Sequence, residues 1–75
     1  MFVHLCYAGR EEVLLFDETL VYSADVIQKM SHLFPKGGVL YNEHGRRMKH
    51  WDTLDKGRVY ILKRRIPRHR TISSL

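Results

Sequence analysis

The segment Arg58-Val59-Tyr60-Ile61-Leu62-Lys63-Arg64 decides the fold. Its centre, Val59 to Leu62, is apolar at four successive positions, so a strand there is hydrophobic on both faces and belongs in the middle of a sheet. Just upstream, Asp55-Lys56-Gly57 forms a turn, with Gly57 supplying a residue that takes positive φ without strain. Downstream the chain turns basic, through Lys63, Arg64, Arg65, Arg68 and Arg70, and Pro67 keeps that stretch extended.

A central strand needs neighbours, and the first lies at the start of the chain. Phe2-Val3-His4-Leu5-Cys6-Tyr7 is rich in strand formers, with Val3, Leu5 and Tyr7 on one face and Phe2, His4 and Cys6 on the other. Ala8-Gly9-Arg10-Glu11 followed by Val13-Leu14-Leu15-Phe16 reads as a hairpin, ended by Asp17-Glu18. Val26, Ile27, Met30, Leu33 and Phe34 then recur at intervals of three and four, which predicts a helix of about three turns with Ser23 as its N-cap and Asp25 in its first turn. Pro35-Lys36-Gly37-Gly38 stops it.

Beyond the glycines, Val39-Leu40-Tyr41 is a short strand and Asn42-Glu43-His44-Gly45 a tight turn. Arg46 to Lys49 is expected to return as a short edge strand, and Trp51 to cap the core. Asp52-Thr53-Leu54 reads as a single helical or 3₁₀ turn capped by Asp52, with Leu54 pointing inward. The order of elements predicts an α+β chain of β-grasp, or ubiquitin-like, form: a mixed four- to five-stranded sheet with one main helix packed across it. The last strand would lie between the first and the third, parallel to the first, and the helix would pack on Val3, Leu5, Leu15, Leu40, Val59 and Ile61. Residues 1–64 make up the expected domain, and 65–75 a basic extension.

Seventy-five residues suffice for one small core and argue against an active site set between two lobes. The net charge of +5 is divided unevenly, with −3 over 1–35 and +8 over 36–75. Such polarity suits a partner with a dense negative surface, although a basic tail also serves solubility. The lone Cys6 cannot form an internal disulfide and reads as a small buried hydrophobe. No apolar run exceeds four residues and no basic segment precedes an apolar one at the start, so the expected setting is cytoplasmic, without membrane.

Three blocks resemble the doublecortin family. Tyr7-Ala8-Gly9-Arg10 is similar to its opening hairpin, without the asparagine and aspartate found there. Gly38-Val39-Leu40-Tyr41-Asn42-Glu43-His44-Gly45-Arg46-Arg47-Met48 resembles its middle block, and Leu54-Asp55-Lys56-Gly57-Arg58-Val59-Tyr60-Ile61 its closing one. The resemblance implies a ubiquitin-like fold, microtubule (tubulin) binding and association with the cytoskeleton. The closing pattern also occurs in caspase-activated nuclease N-terminal modules and in PB1 domains, which pair with other proteins through opposite charges. Self-association of an acidic half with a basic half is therefore the alternative. Ser73-Ser74-Leu75 is not the diglycine a ubiquitin-like modifier needs for conjugation.

Two basic clusters are the expected partner-binding residues: Arg46, Arg47 and Lys49 in one, Lys63, Arg64, Arg65, Arg68 and Arg70 in the other. Arginine favours bidentate contacts to carboxylate or phosphate. An acidic protein surface is preferred as the partner to nucleic acid, because few exposed aromatics are expected near the tail to stack on bases. Lys49 and Arg47 would also discourage edge-to-edge pairing. The five histidines show no metal-ligand spacing, and there is no phosphate loop, nucleophile elbow or paired carboxylates. Neither catalysis nor a cofactor is expected. Thr71 and Ser73 follow basic residues in the manner of kinase sites, and a phosphate there would oppose the basic tail.

Overall fold

The computed structural model describes residues 1–65, which form an α+β unit of four strands and one short helix. The strands are β1 (Phe2–Tyr7), β2 (Arg10–Leu15), β3 (Gly38–Tyr41) and β4 (Val59–Arg64), and α1 (Ser23–Lys29) lies between β2 and β3 in sequence. They form one mixed sheet in the order β2-β1-β4-β3. β4 is central, parallel to β1 and antiparallel to β3, as its two-sided hydrophobicity predicts.

β1 and β2 are joined by Ala8 and Gly9 alone, with Tyr7 paired to Arg10. Both loop residues have positive φ, 49° and 73°, the conformation of a two-residue hairpin whose twist matches its strands. This register places Leu14 opposite Val3, and the parallel pairing places Tyr60 opposite Leu5. Directly opposed residues share a face. The helix side of the sheet therefore presents Val3, Leu5, Leu14, Leu40, Tyr60 and Leu62, which are buried with Val26 and Met30 of the helical segment and with Phe16, Val21 and Leu54. Leu15, Val59 and Ile61, expected under the helix, lie one residue out of phase and point to the other face.

The helix is shorter than the periodicity predicts. Its N-cap is Tyr22, whose N–H donates to the Asp25 carboxylate at 2.9 Å, and its last residue is Lys29. Met30 already has φ −97° and ψ 10°, and the following turns carry Phe34 against the core but leave Leu33 exposed. Ser31 and His32 are weak helix formers and Pro35 disfavours helix at Phe34, so the stripe outlasts the helix. Ser23 is not the cap. It sits in the first turn, fully buried, and among the described residues its hydroxyl finds no hydrogen-bond partner.

The expected fifth strand reduces to a single bridge between Arg47 and Tyr41, reinforced by the Met48 N–H donating to the Leu40 carbonyl at 2.8 Å. The chain then leaves the sheet edge for the helix start. Ser23 N–H donates to the Asp52 carbonyl at 2.8 Å and Ala24 N–H to the His50 carbonyl at 3.1 Å, satisfying two of the free first-turn amides. Asp52 does not cap a turn of its own. Its carboxylate accepts from the Lys49 N–H at 2.7 Å and closes the turn that precedes it.

Candidate functional site

The first basic cluster is held by Asn42. Its side-chain oxygen accepts from the N–H groups of His44 and Arg46, both at 2.9 Å, while its own N–H donates to the Arg46 carbonyl. Gly45, at φ 81°, completes the turn. Arg46 is thus carried on an ordered turn, and Arg47 is fixed beside Tyr41 by the bridge. Because opposed residues share a face, Arg47 lies on the sheet side away from the helix, and Met48, next along, packs against the core.

Trp51 corrects the sequence reading. It is 69% exposed, so it does not cap the core. The carbonyls on either side of it, those of His50 and Asp52, both turn inward to the helix amides, and the residue between them is directed outward. The Lys49 ammonium lies 5.6 Å from the centre of the Trp51 ring, a cation–π contact at the water boundary. Lys49 and His50 precede Trp51 in sequence, but its place on a basic surface follows only from the hydrogen bonds that occupy its backbone neighbours.

The second cluster meets the first at Tyr41. Lys63 places its ammonium 5.3 Å from the centre of the Tyr41 ring, and Arg47 is the bridge partner of the same tyrosine. Arg64 pairs with Gly38 at the far end of β3, and the Arg65 N–H donates to the Gly37 carbonyl at 3.1 Å. Arg46, Arg47, Lys49, Lys63, Arg64 and Arg65 therefore lie around the β3 edge, and among the described residues none is engaged in a salt bridge. Arg58 differs, with carboxylates of Glu43 at 3.5 Å and Asp55 at 3.8 Å. Arg68, Arg70, Thr71 and Ser73 lie outside the described residues.

The acidic side of the molecule lies at the opposite edge. On β2, Glu12 accepts a hydrogen bond from the Tyr7 hydroxyl at 2.6 Å, and that bond, with some burial, raises the Tyr7 pKa above its ordinary value. Glu11 lies on the other face, with its carboxylate 3.9 Å from the Cys6 sulfur. Cys6 is half-buried in that face, not enclosed in the core. His4 stands on the same face, as the strand alternation predicts. No group of three or more metal-ligating side chains comes together among the described residues.

Comparison of the chain with protein-family models, with curated proteins and with solved structures found no match.

Proposed function

We propose that the chain is a non-enzymatic interaction module of β-grasp form whose basic β3 edge binds an acidic protein surface, most specifically that of microtubules. The β-grasp reading is supported by the strand order β2-β1-β4-β3, with the first and last strands parallel at its centre. The observation that carries the functional reading is the meeting of the two basic clusters at Tyr41, through Arg47 of one and Lys63 of the other, with an exposed tryptophan against Lys49 further along the same segment. Cations without intramolecular salt bridges supply steering, and an aromatic anchor supplies the buried contact that charge alone does not give. The doublecortin resemblance of 38–48 and 54–61 supplies the polymer, and with it a cytoplasmic, cytoskeletal setting.

Co-sedimentation with taxol-stabilised microtubules, at low and at physiological salt, tests the reading. Binding that weakens with salt, and weakens further in Arg46→Glu/Lys49→Glu, is the expected result. No binding at low salt overturns it. Trp51 and Tyr41 also supply the stacking surface that sequence reasoning found missing for nucleic acid. A single-stranded oligonucleotide competing more strongly than tubulin would therefore transfer the site to that class.

A further inference from the structure

The helix covers one face of the sheet, and among the described residues no element covers the opposite face. It carries Phe2, His4 and Cys6 from β1, Glu11, Val13 and Leu15 from β2, and Val59, Ile61 and Lys63 from β4, with Val39 and Tyr41 on β3. Phe2 is 59% exposed, Leu15 55%, Val13 49% and Val59 37%. These four account for half of the eight large exposed hydrophobic side chains among the described residues, and they lie on adjacent strands. A contiguous apolar patch of this kind is an interaction surface, unlike scattered single exposures.

Charge on this face is ordered across the strands. One cross-strand row runs Glu11, Cys6, Ile61, Tyr41, Arg47: an acid at the β2 edge, a base at the β3 edge and apolar or weakly polar groups between. Lys63 leans over Tyr41 and adds a second positive charge at the basic end. A row with opposite ends of opposite sign is complementary to its own two-fold copy. An axis parallel to the strands sets β2 of one molecule over β3 of the other and β1 over β4. Glu11 then faces the second copy's Tyr41 and Lys63, the contact occurs twice, and Val13, Val59 and Ile61 are enclosed between the sheets.

From this arrangement we infer that the open sheet face pairs with a second copy of the same chain, as an aligned face-to-face sandwich. The inference goes beyond acidic-partner binding and does not rest on it, although the two share Arg47 and Lys63. Three strands of six residues and one of four, about 4.8 Å apart, give a face of roughly 350 Å², so pairing removes on the order of 700–900 Å² in total. That lies below the size of stable interfaces, in the range of weak and transient ones, and fits a reversible dimer that forms only at high concentration.

Sedimentation equilibrium on the whole chain up to about 500 μM tests the pairing. The expected result is a monomer–dimer equilibrium that Val13→Lys or Leu15→Lys abolishes with the circular dichroism melt unchanged, both sites being solvent-facing in the monomer. Glu11→Lys and Lys63→Glu each weaken the dimer about tenfold, and the combined swap restores it. Co-sedimentation of Leu15→Lys with microtubules separates this failure from failure of the acidic-partner reading, since Leu15 lies on β2, at the sheet edge opposite β3. A monomer at the highest concentration, or a swap no better than its singles, overturns the pairing and leaves the face to a partner of different sequence.

Discussion

Lys49 and Trp51 are two residues apart, with the ammonium 5.6 Å from the ring centre, and the ring is held out in water by hydrogen bonds made on either side of it. Trp51→Ala is expected to leave stability within about 0.5 kcal/mol while lowering affinity for the acidic partner at least tenfold. A core tryptophan would cost about 3–5 kcal/mol on the same change. A thermal melt beside a binding isotherm distinguishes the two, and a large loss of melting temperature would return Trp51 to the core.

The Ser23 hydroxyl is fully buried in the first helical turn without a partner among the described residues, which costs free energy that a methyl group does not. Ser23→Ala is expected to stabilise the fold by about 0.5–1.5 kcal/mol, since alanine also has the higher helix propensity. An N-cap serine would give the opposite sign, a loss of about 1 kcal/mol. Urea denaturation of the two proteins reads the sign directly.

Ala8 has φ 49° in a two-residue hairpin loop, a conformation that costs a β-carbon-bearing residue energy and that asparagine tolerates. Ala8→Asn is expected to gain about 0.5–1 kcal/mol, while Ala8→Val, branched at Cβ, loses more than 1 kcal/mol. Unchanged denaturation midpoints in both variants would mean that the loop does not hold this conformation in solution.

Tyr7 donates to Glu12, so ionising the phenol breaks the bond and sets two negative charges side by side. Because the folded-state pKa is raised, this contribution is fully present below the ordinary value of about 10 and is lost as the pH climbs through the raised one. Glu12→Gln is expected to move the Tyr7 titration downward and to reduce the part of alkaline destabilisation that depends on it. Ring chemical shifts followed with pH measure the first effect and denaturation above pH about 10 the second. A titration curve unmoved by Glu12→Gln would rule out the bond as its cause.

Strand order was readable because Val59-Tyr60-Ile61-Leu62 has no polar side to give to water, and a strand of that kind has little choice but the centre of the sheet. Phase was not. Val13-Leu14-Leu15-Phe16 is apolar at every position, so alternation cannot say which pair faces the helix. The two-residue loop does say it: Tyr7 opposite Arg10 forces Val3 opposite Leu14. For β4 the deciding fact is the parallel register with β1, which nothing local encodes. In the basic surface, the charged residues were evident from composition, but their common anchor on Tyr41 depends on a bridge and a lysine rotamer. Trp51 was misplaced because large aromatics are usually buried, and the hydrogen bonds that override this come from Ser23 and Ala24 at the helix start, 28 and 27 residues away.

Pairing β1 with β4 joins His4 to Val59, residues separated by 55 positions, in the centre of the sheet. The hairpin of β1 and β2 has no further strand beside it until that contact forms, and an isolated two-stranded hairpin is marginal in water. During synthesis the first 58 residues must therefore leave the ribosome without a completed sheet, their apolar strand surface uncovered until the last strand arrives. High sequence separation of this kind slows folding and leaves a window for aggregation, and deletion of β4 removes the sheet, not only its edge.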